Sequence, residues 1–190
     1  MTTIIGLAGS LRRGSYNSML LRAAAELAPE GTAVEIASLR GIPLYDGDVE
    51  AAGMPELVTQ LKDRIAGADG LLLVTPEYNF SIPGVFKNAI DWLSRPPADI
   101  ARVFGGRPVA LMGATPGRGG TLQAQSAWLP VFRALGVCPW FGPRLLVSGA
   151  DKVFDSEGRL LDEGIRKNTR DFMSQFSQFI ARMAPKGERR

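Results

Sequence analysis

Ile4-Ile5-Gly6-Leu7-Ala8-Gly9-Ser10-Leu11-Arg12-Arg13-Gly14-Ser15-Tyr16-Asn17 is an apolar run that breaks into glycines, hydroxyls and arginines just before a helical pattern begins. It reads as a strand, a loop and a helix start. A loop at such a junction offers backbone N–H groups and the positive end of a helix dipole. Ser10, Arg12, Ser15 and Asn17 add side-chain donors, and the set suits a phosphate. The P-loop pattern is excluded, because Gly9 and Gly14 have its spacing but are followed by Ser15 with no lysine. Gly-x-Gly-x-x-Gly fails as well, since the glycines fall at Gly6, Gly9 and Gly14. A hydroxyl-rich loop centred on arginine remains, and it fits a terminal monophosphate.

Downstream, Leu20, Ala23, Ala24 and Leu27 recur at helical spacing until Pro29 and Gly31 stop the pattern. Thr32 to Ser38 alternates, as an edge strand would, and residues 41–48 are turn-rich. Pro55 opens a helix with Leu57, Val58, Leu61 and Ile65 on its apolar face. Residues 70–75 and 108–112 are continuous apolar runs, the mark of strands covered on both faces. Helices follow over 86–93 and through about Leu135, with Pro130 a kink. Arg144 to Ser148 reads as the fifth strand and Ile165 to Met183 as a final amphipathic helix. Strand and helix alternate five times, which predicts an α/β three-layer sandwich with a five-stranded parallel sheet and right-handed crossovers. A buried third strand beside a less buried second one favours the flavodoxin-like order 2-1-3-4-5, with the ligand crevice beyond strands 1 and 3.

The 190 residues suffice for one buried core, so a single domain is expected over 1–185, followed by a polar tail at 186–190. Hydrophobic residues at 45% and charged residues at 22% describe a globular chain, and no apolar stretch approaches membrane-spanning length, which implies a cytoplasmic protein. The net charge of +3 comes with no basic stripe interleaved with aromatics, so nucleic acid is not the expected partner. There is no histidine, and Cys138 is the one cysteine. A Ser-His-Asp triad, a histidine metal site, an internal disulfide and a CxxC redox pair are thereby excluded. No metal site is expected, and Cys138 reads as a buried small apolar residue.

Two further loops stand at strand ends. Thr75-Pro76-Glu77-Tyr78-Asn79-Phe80-Ser81-Ile82-Pro83-Gly84 offers aromatic rings and exposed amides with little that titrates, and residues 113–120 form a glycine-rich loop where backbone can approach a ligand. Chemistry without a triad or a thiol pair is most simply carried by a cofactor. FMN has one terminal phosphate and one redox-active ring, and it belongs at this switch point of flavodoxin-like sheets.

Gly9-Ser10-Leu11-Arg12-Arg13-Gly14-Ser15-Tyr16-Asn17 resembles the GSxRxxSxN loop of the NADPH-dependent FMN reductase family. Residues 76–84 with Lys87-Asn88-Ala89-Ile90-Asp91-Trp92 resemble its PEYNxSxPGxLKNAxDW segment, with Phe86 in place of leucine. The match spans residues 3–183 and is nearest the chromate and quinone reductase branch. The resemblance implies that Ser10, Arg12, Ser15, Tyr16 and Asn17 surround the FMN phosphate, and that Pro76, Glu77, Tyr78 and Asn79 border the ring. Thr115 and Gly117 would supply backbone contacts near its pyrimidine edge. It also implies NADPH or NADH as co-substrate, and a homodimer or homotetramer with sites near subunit contacts. Exposed Tyr78, Phe80 and Ile82 at the cleft mouth favour assembly independently.

Two functions stay open at this point. In one, an enzyme passes hydride from NAD(P)H through FMN to a small-molecule acceptor (a quinone, chromate, an azo compound or free flavin) in ping-pong fashion, with no catalytic side chain. In the other, a flavodoxin-like electron carrier docks on protein partners, although the basic balance lacks the acidic face such docking uses. Bleaching of the flavin by NADPH alone separates them. Lys87, Asn88 and Asp91 either order the second loop or touch ligand. Arg118 either meets a nicotinamide co-substrate's phosphates or is a solvated charge. Trp92, Trp128 and Trp140 read as core or interface.

Overall fold

In the computed structural model, residues 1–183 are described, so the tail expected at 186–190 lies outside them. Strands β1 (Thr2–Ala8), β2 (Thr32–Ala37), β3 (Gly70–Val74), β4 (Pro108–Ala114), β5 (Cys138–Pro139) and β6 (Leu145–Val147) form one parallel sheet. Its order is β2-β1-β3-β4-β5, with β6 also on β4. The helices are α1 (Tyr16–Glu26), α2 (Gly47–Ala52), α3 (Glu56–Ala66), α4 (Gly84–Leu93), α5 (Ile100–Val103), α6 (Leu122–Leu135), α7 (Ala150–Val153) and α8 (Glu163–Met183). No described helix is long and apolar enough to cross a membrane.

The predicted order holds; the strand count is corrected from five to six. β5 pairs with Pro108 and Val109, whereas β6 pairs with Met112, Gly113 and Ala114, so two short pieces share the fifth position. Between them the Trp140 N–H still donates to the Val109 carbonyl at 2.8 Å, Phe141-Gly142-Pro143-Arg144 leave the ladder, and Pro143 cannot donate to one. Cys138, expected to be buried, is half-buried on this short edge strand.

Alternation along the strands divides the interior into two clusters. Ile4, Leu72, Val74, Ala110 and Met112 pack with α1 and α8, where Leu20, Phe172 and Phe176 are buried. Ile5, Leu7, Leu71, Leu73 and Val109 pack on the other face with α3, α4 and α6. The sheet is therefore apolar on both sides, and its backbone is spent on the ladder. Polar chemistry is left to the loops beyond the strand ends.

The turn-rich segment 41–48 runs into α2, a helix that the sequence reading missed, and it is tied to α4. Asn88 accepts from the Tyr45 N–H at 2.8 Å and donates to the Pro43 carbonyl at 2.8 Å, where Trp92 Nε1 also donates. Asn88 thus braces this segment rather than the second loop, while Lys87 pairs with Asp91 at 2.7 Å along the helix. Nearby, the Arg95 guanidinium and then the Tyr45 hydroxyl hold the Glu50 carboxyl below its ordinary range, and the same bond to Glu50 pushes Tyr45 up. Trp92 and Trp128 are fully buried, and Trp140 packs on Phe172 and Phe176.

Candidate functional site

The loops after β1, β3 and β4 emerge side by side because their strands are neighbours, and each is fastened to the next. The Gly9 N–H donates to the Val74 carbonyl at 2.9 Å, the Thr75 N–H to Met112 at 2.9 Å and the Thr115 N–H to Val147 at 2.9 Å. The packing is close enough to exclude side chains at two points. A Cβ on Gly9 would lie 2.2 Å from the Phe86 ring and 2.9 Å from Pro76. A Cβ on Gly113 would lie 2.1 Å from Thr121 Oγ1 and 2.3 Å from the Thr75 carbonyl oxygen. Glycine at both positions lets the three loops stack.

In the first loop, Ser15 caps α1 by accepting from the Ser18 N–H, and the Ser10 hydroxyl accepts from the Arg12 N–H. Tyr16 lies against Phe154, and the Arg12 guanidinium sits 5.4 Å from the centroid of the Tyr16 ring. The first turn of α1 carries no acidic residue. Among the described residues Arg12 has no carboxylate partner within ion-pair distance. An uncompensated guanidinium beside an uncompensated helix N-terminus is a donor set that matches a phosphate dianion, so the loop fits the terminal phosphate of FMN.

Asn17 is turned away from this loop. Its Nδ2 donates to the Ala114 carbonyl at 2.8 Å, and its Oδ1 accepts from the Ala114 N–H at 2.9 Å. The side chain expected at the phosphate instead staples α1 to the end of β4. Pro76 is likewise buried under Gly9. Glu77 Oε2 accepts from the N–H groups of Gln123 and Ala124 at 2.8 and 3.0 Å, capping α6 from another loop. That cap is needed because Gly120 and Thr121 both adopt left-handed backbone, at φ 65° and 85°, and Thr121 makes no cap bond itself. Asn17, Pro76 and Glu77 therefore brace the three loops with their side chains turned to protein.

Tyr78 and Asn79 are the part of the second motif that faces outward. Tyr78 and Ser81 exchange backbone hydrogen bonds across a two-residue turn, with Asn79 and Phe80 at φ 50° and 60°. Left-handed backbone at a phenylalanine is costly, and it projects Tyr78 and Phe80 to 51% and 79% exposure. Ile82, expected beside them at the mouth, packs against the core instead. In the third loop Thr115 Oγ1 accepts from the Gly117 N–H at 3.2 Å, and Arg118 is exposed.

Two features had not been read from the sequence. Arg40, just after β2, donates to the Leu11 carbonyl and so borders the first loop from its far side. Its position at the C-terminal end of β2 was the available signal. A cavity of about 230 Å³ opens at the break in the fifth strand, lined by Trp140, Phe141 and Leu111, and lies away from the strand ends.

The sequence profile of the family described as NADPH-dependent FMN reductase matches residues 2–152. A Pseudomonas aeruginosa protein named NAD(P)H-dependent FMN reductase is 43% identical over 95% of this chain and 96% of its own. A 2-hydroxy-1,4-benzoquinone reductase from a Burkholderia species is 40% identical over 90% of this chain and 92% of its own. Among solved structures, the flavoenzyme NAD(P)H:(acceptor) oxidoreductase FerB of Paracoccus denitrificans superposes with a TM-score of 0.87 at 32% identity, covering 96% of this chain and 99% of that one.

Proposed function

We propose that this chain, which belongs to the NADPH-dependent FMN reductase family, is an FMN enzyme that takes hydride from NAD(P)H and reduces quinones, and with them chromate, azo compounds or free flavin. One observation carries the reading. A cationic loop with no ion-pair partner among the described residues and an aromatic-tipped loop whose one carboxylate, Glu77, is spent on the cap of α6 are stacked side by side at the switch point of the sheet. Relatives named quinone reductase and FMN reductase support it.

Bound FMN supplies the redox chemistry, passing to an acceptor the two electrons it receives from NAD(P)H. The chain's own residues hold and orient. Ser10, Arg12, Ser15 and Tyr16 engage the phosphate, and the outward edges of Tyr78, Asn79, Thr115 and Gly117 border the ring. Proton transfer by a side chain is not part of the scheme, because the one carboxylate central to these loops, Glu77, is spent on the cap of α6.

Donor and acceptor then use one place in turn. Steady-state rates at varied NADPH and several fixed quinone concentrations should give parallel double-reciprocal lines, and intersecting lines would sink the shared place. Glu77→Gln should keep turnover within a few-fold, since its amide oxygen still accepts from the helix, whereas losing a general acid costs roughly 10²- to 10⁴-fold.

The same loop supports a homodimer or homotetramer. Tyr78 and Phe80 are held outward by strained backbone, and a second subunit is the surface that would cover them. Light scattering at micromolar protein should report a multiple of the subunit mass; a fully active monomer would overturn the assembly.

A further inference from the structure

We propose that the cavity at the break in the fifth strand is a binding site, separate from the three stacked loops, for a small phenol: one aromatic ring carrying a hydrogen-bond donor. Two sources have that chemistry, the hydroquinone that quinone reduction releases and other monocyclic phenols. Only the first rests on the function proposed above.

The space exists because the sheet edge is interrupted. β5 pairs no further than Val109 and β6 begins at Met112, so Ala110 and Leu111 face no strand on that side. Both layers of the sandwich line the gap: Leu129 and Phe132 come from α6 on one face of the sheet, Phe172 from α8 on the other, with Leu111 and Trp140 between them. No residue of 9–17, 76–84 or 113–120 lines it. At about 230 Å³ it exceeds the roughly 150 Å³ that suffices for benzene, so a ring with one or two small substituents fits. Aromatic and aliphatic walls with few polar groups are the composition of a small-molecule pocket, and Phe141, 77% exposed, adds a further ring at the mouth.

One polar group is left open. Gln125, only 8% exposed, lines the cavity. Its Nε2 donates to Thr121 Oγ1 at 3.2 Å and to the Leu145 carbonyl at 3.3 Å. A carbonyl can only accept, which fixes the end of the amide that carries the protons. Oε1 accepts no hydrogen bond among the described residues. The one side-chain polar atom among them that is both sealed from solvent and unpartnered is Trp128 Nε1, so Gln125 Oε1 keeps an open approach. A buried amide oxygen with free lone pairs calls for a donor. The Ser126 hydroxyl, also on the wall, already gives its proton to the Leu122 carbonyl at 2.9 Å, and no acidic residue lines the space to attract a cation. A neutral ring with an O–H therefore matches, whereas a quinone, which only accepts, would set its oxygens against Oε1.

The test uses FMN-loaded protein, wild type, Gln125→Leu and Leu129→Trp, titrated calorimetrically with phenol, hydroquinone and anisole, a ring of similar size with no donor. Phenol should bind wild type with a dissociation constant of about 0.1–1 mM, an ordinary efficiency for so few atoms. Anisole should bind about five-fold more weakly, the loss of one neutral hydrogen bond. Gln125→Leu should bring phenol down to the level of anisole and leave anisole unchanged. Leu129→Trp, whose indole fills the space, should weaken both by at least about ten-fold. FMN affinity and kcat with NADPH should be unchanged in both variants. Hydroquinone binding like phenol would keep the released product as the source; phenol binding without hydroquinone would leave other phenols as the source. Phenol binding that shifts the flavin absorption band and ignores both substitutions would place the ring over FMN and overturn the site. Absence of phenol binding to wild type would overturn it as well, and a fall in oligomeric mass in Phe141→Ala would then give the cavity to a second copy of the chain. Leu129 is 44% exposed, so Leu129→Trp still decides the matter if thermal midpoints show that Gln125→Leu does not fold. Failure of the wild type to bind FMN at all would instead strike the function proposed above.

Discussion

Asn17→Ala should lower the unfolding free energy by about 2–4 kcal/mol, because it leaves two buried backbone groups without partners at about 1–3 kcal/mol each. Ala114, whose N–H and carbonyl Asn17 satisfies, is 2% exposed, so water cannot replace the amide. The two residues are 97 positions apart, and the staple fixes the end of β4 against the start of α1. FMN affinity should fall as well, since the phosphate loop leads directly into that helix. Asn17→Asp is an informative companion. Its carboxylate can still accept from the Ala114 N–H but must face the Ala114 carbonyl without a proton to give. Denaturant unfolding of the FMN-free protein measures the stability change. A loss below about 1 kcal/mol would mean that the segment relaxes to find other partners.

The second large effect is expected at Arg12. Arg12→Ala should weaken FMN binding by about 1.5–3 kcal/mol, roughly 10- to 100-fold, the range of a hydrogen bond to a charged group. Among the described residues the guanidinium has no carboxylate partner, and it rests over Tyr16, so it reaches a phosphate without first breaking an ion pair with them. Arg12→Lys should recover only part of the loss, because an ammonium keeps the charge but neither the planar fork nor the ring contact. Fluorescence titration of the flavin reads both variants, and unchanged affinity in Arg12→Ala would remove the residue from the site.

Much of this fold is legible in the chain because its decisive signals are local. Buried strands announce themselves as unbroken apolar runs at 4–8, 70–74 and 108–112, and the alternating 32–37 marks an edge. The order then follows from burial alone. What escaped were features settled by distant partners or by short segments. Cys138–Pro139 is too short and too proline-rich to read as a strand, and only its pairing with Pro108 and Val109 makes it one. The helices at 47–52 and 100–103 hide among turn residues. Motif matching singled out Asn17 and Glu77, yet it could not tell which way they face. Their partners lie on β4 and α6, and nothing near them in sequence shows that a buried carbonyl or an uncapped helix is waiting there.

The stacking of the three loops at Gly9 and Gly113 also bears on how such a protein diversifies. Neither position tolerates a β-carbon without pushing a neighbouring loop aside, so both are closed to mutational drift. The rim is open. Tyr78, Phe80 and Arg118 stand outside the stack, and exchanging them disturbs neither the glycine contacts nor the Asn17 and Glu77 anchors. Under the function proposed above, selection can therefore retune which oxidant is accepted while the inner frame stays fixed, and lineages sharing this frame can part company in substrate range long before they differ in architecture.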